Sequence, residues 1–236
     1  MRVRLPLGRG LFFVCAFLFA LIALLPLRLA LDPLGLGEHG VAAREATGSV
    51  WLGTMREAQL GRIALGDLAV GLETLPLLAG RARVSAQGLG DTPFKGAFNS
   101  TRHGFGVDDV TAQLRMAGTL GPLPLGVFDT TDLSVHFADG LCRTAEGRVR
   151  AAAAGDIGGF PLPGLSGTAR CDGGVLLLAL ASDAGTETLQ LRIGANGRYR
   201  AELGVRPSQP ELAPALTAAG FVQAGGGYSL RLAGAF

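Results

Sequence analysis

Beyond its first few dozen residues this chain alternates apolar and polar positions. In "DLAVGLE", Leu68, Val70 and Leu72 fall on one side of an extended backbone; in "GRARVSAQG", Ala82, Val84 and Ala86 do so against Arg81, Arg83 and Ser85. The rhythm returns at Leu133, Val135 and Phe137, at Leu189, Leu191 and Ile193, at Tyr199, Ala201, Leu203 and Val205, and at Tyr228, Leu230 and Leu232. Successive side chains of a strand point to opposite faces, so this pattern predicts strands with one buried and one wet face, as in antiparallel sheets. Glycine-marked turns between them predict roughly ten to twelve short strands. Periodicity does not separate a sandwich, a barrel and one strongly curved sheet. Sparse aromatics, many wet faces and frequent glycine favour a curved, partly open, half-barrel-like sheet.

Two segments read as short helices. "TLPLLAG", Thr74 to Gly80, offers a Thr cap, an early proline and a closing glycine. "PSQPELAPALTAAG", Pro207 to Gly220, places Pro210 at a first helical position, Glu211 near the positive end of the dipole and Gly220 at the stop. A faint repeat relates "GRIALGDLAVGLE", from Gly61, to "GPLPLGVFDTTDLSVHF", from Gly121, with "GGFPLPGLSGTARC", from Gly158, as a third candidate. Two similar β-halves and a coincidence of common residues both account for it.

The first residues follow a different rule. Three arginines, Arg2, Arg4 and Arg9, precede a run without charge from Gly10 to Leu27. Its 18 residues are near the lower limit for a membrane-crossing helix, and Leu29 to Leu31 extend it if Arg28 snorkels. The expected order is a cytoplasmic tail over 1–9, a transmembrane anchor over 10–31, a linker over 32–47 and a β-domain over 48–236 outside the cytoplasm. A cleaved signal peptide is the rival reading, but Pro26, Leu27, Arg28, Leu29 and Ala30 form a poor cleavage site. Pro26 ends or kinks the helix, and Cys15 within the span acts as a small apolar side chain.

Composition narrows the function. Hydrophobic residues make up 48% and charged residues 17%, which excludes a disordered chain. After the first 31 residues the chain holds 17 Lys plus Arg against 19 Asp plus Glu, so no basic face for nucleic acid is expected. His39, His103 and His136 lack metal-binding spacing, and "GLSG", Gly164 to Gly167, falls short of a nucleophile elbow because Thr168 stands where glycine is needed. Adjacent Asp108 and Asp109 would point to opposite faces of a strand, as a solvated edge or turn. Lone Trp51 reads as a packed side chain. No catalytic residue, cofactor or metal site is expected.

Cys142 and Cys171 are the thiols left for a disulfide. If "CRTAEGRVRAA" and "LPGLSGTARC" are arms of one hairpin, symmetry about Asp156–Ile157 sets them opposite each other, with "FPLP" allowing a shift of register. An oxidising compartment would close the bridge.

One stretch carries a resemblance. "ATGSVWLGTMREAQLGRIALGDLAVGLETLPLLAGRARV" is similar to the N-terminal signature of the type II secretion system protein N family, through Gly48, Val50, Trp51, Gly53, Leu65, Gly66, Pro76, Leu77, Leu78, Gly80 and Arg81. "LRIGANGRYRAELGVRPSQPELAPALTAAGFVQAGGGYSLRLAGAF" resembles the family's ending. A Trp often found on the strand after Leu-Gly is replaced here by Val70 and Gly71. The resemblance implies an accessory component of the secretion machinery in the bacterial inner membrane, with its N-terminus cytoplasmic and its C-terminal domain periplasmic. It further implies contact with the secretin and the inner-membrane platform proteins. The alternative is a periplasmic lipid-handling groove, as in the AsmA-like proteins that the chain loosely resembles; no other small-molecule ligand is expected.

Overall fold

A computed structural model describes residues 7–28, 40–61, 63–90, 93–115, 125–153, 155–157, 160–208 and 211–235. Leu29 to Leu31, His39, Gly121, Gly158 and Pro210 lie outside the described residues. Helix α1 spans Leu7–Ala23, α2 Thr74–Leu78 and α3 Leu212–Ala218. The strands are β1 Val41–Ala42, β2 Glu45–Gly48, β3 Gly53–Leu60, β4 Ile63–Leu72, β5 Ala82–Gly88, β6 Phe94–Thr101, β7 Gly104–Arg115, β8 Leu125–Ala138 and β9 Leu141–Ala153. They continue as β10 Asp156–Ile157, β11 Phe160–Pro161, β12 Leu165–Asp172, β13 Val175–Ala181, β14 Glu187–Ile193, β15 Arg198–Val205, β16 Val222–Ala224 and β17 Gly227–Ala235.

Fifteen strands form one open antiparallel sheet, ordered β1-β3-β4-β5-β6-β7-β8-β9-β12-β13-β14-β15-β17-β16, with β2 also on β3. The expected mainly-β fold is therefore found as one open antiparallel sheet with few short helices. It starts earlier than position 48: β1, and β2 as far as Thr47, lie inside the stretch read as linker. Arg44 with Glu57 and Arg56 with Glu45 match charges across that first strand pair.

The alternation read from the sequence is the burial pattern. Tyr199, Ala201, Leu203 and Val205 are all buried, as are Leu189 and Leu191. Register aligns Val84, Phe98, Val107, Val135 and Ala145 in one apolar row across five strands. A larger core cluster lies mainly under the C-terminal strands, and a smaller one, Leu27, Met55, Ala58, Leu68 and Val70, under the N-terminal ones.

The bends are only partly glycine's work. Glu57, Asp109 and Asp132 have φ of 49°, 51° and 50°, each where the ladder slips register. A side chain on a neighbouring strand takes each displaced N–H: Asp67 Oδ1 from Glu57 (2.9 Å), Ser134 Oγ from Asp109 (3.0 Å) and Thr111 Oγ1 from Asp132 (3.2 Å). Such bulges bend and twist a sheet locally, so three of them across β3, β7 and β8 supply curvature.

The helices differ in detail from expectation. Glu73, not Thr74, is the N-cap of α2, and no side chain caps it. Helix α3 is shorter than 207–220 but stops as expected: Gly220, at φ +89°, donates to the Thr217 carbonyl, and Phe221 to Leu216. Buried Leu216 and Phe221 complete this Schellman stop. Helix α1 ends at Ala23 rather than near residue 31, because the Pro26 ring cannot donate and disfavours helix just before it. No helix among the described residues is long and apolar enough to cross a membrane.

Candidate functional site

The chain's distinctive glycines and tryptophan work where α1 meets the sheet. A helical residue 26 would donate to the Ile22 carbonyl, and proline cannot. That carbonyl instead accepts the Trp51 indole N–H at 3.0 Å, alongside the Leu25 N–H at 3.3 Å. The Val50 N–H donates to the Leu25 carbonyl (2.9 Å), the Val50 carbonyl accepts from Leu72 (2.8 Å), and Pro26 bridges Ser49. Leu27 then enters the smaller core at 5% exposure. A Cβ on Gly53 would stand 2.7 Å from Leu27 Cδ2 and 2.9 Å from the Ser49 carbonyl, so only glycine admits the plug.

Trp51 is thus half-buried and bonded, more than the packed side chain read from the sequence. Gly48, Val50, Trp51 and Gly53 form the collar; Pro76, Leu77 and Leu78 lie on α2, and Gly80 and Arg81 follow its C-cap Ala79. Leu65 and Gly66 sit at the other end of β4, beside the β3 bulge. Replacing Trp51 by Phe keeps an aromatic ring, though a smaller one, and deletes the donor. The expected cost is about 1 kcal/mol of stability, read as faster amide exchange at Val50 and Leu72.

The wet face of β5 to β9 carries a second constellation. Register sets Arg83, Asn99, Gly106, His136 and Thr144 side by side, with Ser85, Ala97 and Asp108 in the adjacent row. Arg83 reaches Glu73 through Nε (3.1 Å) and Asp108 through NH1 (2.6 Å). Asp108 also accepts from the Asn99 amide and pairs with His136 Nε2 (2.8 Å), whose Nδ1 meets Thr144 Oγ1 (3.2 Å). A Cβ on Gly106 would lie 2.6 Å from the His136 ring, so this glycine clears the space for it.

This corrects the reading of Asp108 and Asp109. β7 is an interior strand, Asp108 is only 15% exposed, and the bulge at Asp109 leaves both acids facing Arg83, with Asp109 Oδ2 at 4.0 Å from NH2. An acid held by three partners is a fixed part of a scaffold. Trp51, Leu52, Glu73, Arg83, Lys95 and Asp108 are among the residues lining a groove of about 950 Å³ above small residues of β4 to β6. Among the described residues no group of three or more His, Cys, Asp or Glu is arranged to hold a metal ion.

Cys142 and Cys171 are joined in a disulfide, with Cα atoms 5.5 Å apart. The hairpin arms are β9 and β12, but Leu165 faces Ala151 and Thr168 faces Arg148, so the register is displaced by three residues from symmetry about Asp156–Ile157. The β10–β11 hairpin lies between the two arms. The regular ladder stops at Arg148 and Thr168, and the disulfide reconnects the strands where Cys142 N–H reaches the Gly174 carbonyl (2.8 Å).

Sequence reading missed the acid–guanidinium–imidazole row and the indole bond. Pro26 standing four residues after Ile22, with a single Trp to satisfy the freed carbonyl, was the available signal for the latter. Neither the curated proteins nor the solved structures contain a match to this chain. Residues 39–231 match the family described as type II secretion system (T2SS), protein N, a span that takes in the collar, the polar row and the disulfide, and the chain belongs to that family.

Proposed function

We propose that this protein is an inner-membrane-anchored, periplasmic accessory component of the type II secretion machinery that works by protein–protein contact rather than catalysis. Family membership makes other secretion components its partners. The open sheet carries the contact reading. Beyond Ser229, β17 is paired among the described residues only with β15, so Leu230 to Ala235 present a strand edge of the kind that accepts an added strand. The secretin and the inner-membrane platform proteins are the proposed partners.

The anchoring reading rests on α1, whose apolar side chains are exposed from Leu11 to Ile22 with no charge between them. A helix apolar on all sides suits lipid rather than water. Its 17 residues span about 25 Å, and Leu24 and Leu25 continue the apolar run toward the sheet. Against the lipid-groove alternative, Leu189 and Leu203 fill the core at 0% exposure, and the open groove lies on the charged face.

The test is purification of the tagged full-length chain from its own envelope, with lipid extraction of the same sample. Secretin and platform proteins are expected without stoichiometric lipid; bound lipid alone would establish the alternative.

A further inference from the structure

Outside α1 the four most exposed large apolar side chains among the described residues are Leu24 (75%), Leu52 (84%), Leu75 (78%) and Leu78 (87%). Single exposed leucines are ordinary, but these four occur at one end of the molecule. Leu24 precedes Leu25, whose carbonyl holds Val50; Leu52 follows Trp51, bonded to Ile22; and Leu72, bonded to Val50, lies three residues before Leu75. Leu24 and Leu52 therefore flank the point where α1 enters the sheet, and Leu75 and Leu78 follow on α2, which starts two residues after Leu72. Arg28 and Arg81 are exposed beside them in sequence, and Trp51 is half-buried in their midst.

We infer that this collar rests on the bilayer: Leu52, Leu75 and Leu78 insert into the headgroup boundary around the exit of α1, with Arg28 and Arg81 facing anionic headgroups. The inference rests on the anchoring reading and extends it from one tether to a second, broad contact. Three observations select lipid as the occupant. The patch is continuous with the apolar surface of α1. Two exposed arginines, Arg28 and Arg81, stand beside it in sequence, and Glu73, the acid next to α2, is held by Arg83. Its composition of leucine, tryptophan and arginine is that of a membrane interface. The hydrogen bonds of the collar fix the angle between α1 and β4, so seating the leucines sets how the sheet stands over the membrane. A tether alone leaves that angle free.

The test uses the full-length chain in vesicles of phosphatidylethanolamine and phosphatidylglycerol containing a spin-labelled lipid quencher. In a Cys15→Ser background with the disulfide kept oxidised, a fluorophore is attached at Leu52→Cys, Leu75→Cys or Leu78→Cys. Leu89→Cys and Val222→Cys serve as controls, being exposed apolar positions at the opposite end of β5 and on β16. Circular dichroism of each labelled chain checks the fold. Labels lying about 5–10 Å into the boundary are expected to be quenched several-fold more than the two controls. Equal quenching at all five positions in a chain that floats with the vesicles overturns this inference and leaves the anchor standing. A chain that does not float overturns both. Labels unquenched by lipid but shielded on addition of another secretion component assign the patch to a protein partner and also overturn it.

Discussion

Replacing Cys142 and Cys171 together by serine is expected to cost about 3 kcal/mol of stability, because the open chain regains the freedom that a cross-link 29 residues long removes. For a domain of this size the melting temperature should fall by about 6–12 °C. The wild-type chain in reductant should fall by the same amount, and the double variant should be indifferent to reductant. The loss should be concentrated where the β9–β12 ladder lapses, so amides from Cys142 to Gly147 should exchange first. A double variant that melts with the oxidised wild type would show that the strand pairing alone holds this junction, and would remove the structural role of the bridge.

The second large effect lies in the core. Leu203 has 0% exposure and sits in register between Leu189 of β14 and Leu230 of β17. Truncation to alanine removes apolar contacts and leaves a cavity that flanking strands cannot close without breaking their ladders. A cost of about 2–5 kcal/mol follows, measured by denaturant unfolding. Leu52→Ala is the internal comparison. Its side chain is 84% exposed, and the change should stay within about 0.5 kcal/mol in detergent or water. Equal losses at the two positions would mean that burial does not rank these leucines and that the assigned core is wrong.

Both effects bear on the contact reading. A scaffold presenting a strand edge needs the sheet behind that edge to be rigid. Leu203 stiffens β15 directly behind β17, while the disulfide joins the two parts of the sheet either side of the β10–β11 insertion. Loss of either should weaken partner capture without substituting a residue of the docking edge itself.

The sequence alone determined the strand faces, the antiparallel habit, the short helices closed by Gly80 and Gly220 and the identity of the cysteine pair. Each follows from a local rule: a two-residue period, a left-handed glycine, or two thiols flanking a turn. Tertiary structure alone decided the three-residue displacement of the Cys142–Cys171 hairpin, the rotation of Asp109 at its bulge toward Arg83, and the bond from Trp51 to the carbonyl that Pro26 leaves free. Those outcomes depend on which polar groups, donors and acceptors alike, lack a partner after the strands have paired. That accounting spans 29 residues between Ile22 and Trp51 and 25 between Arg83 and Asp108, far beyond the reach of any periodic pattern.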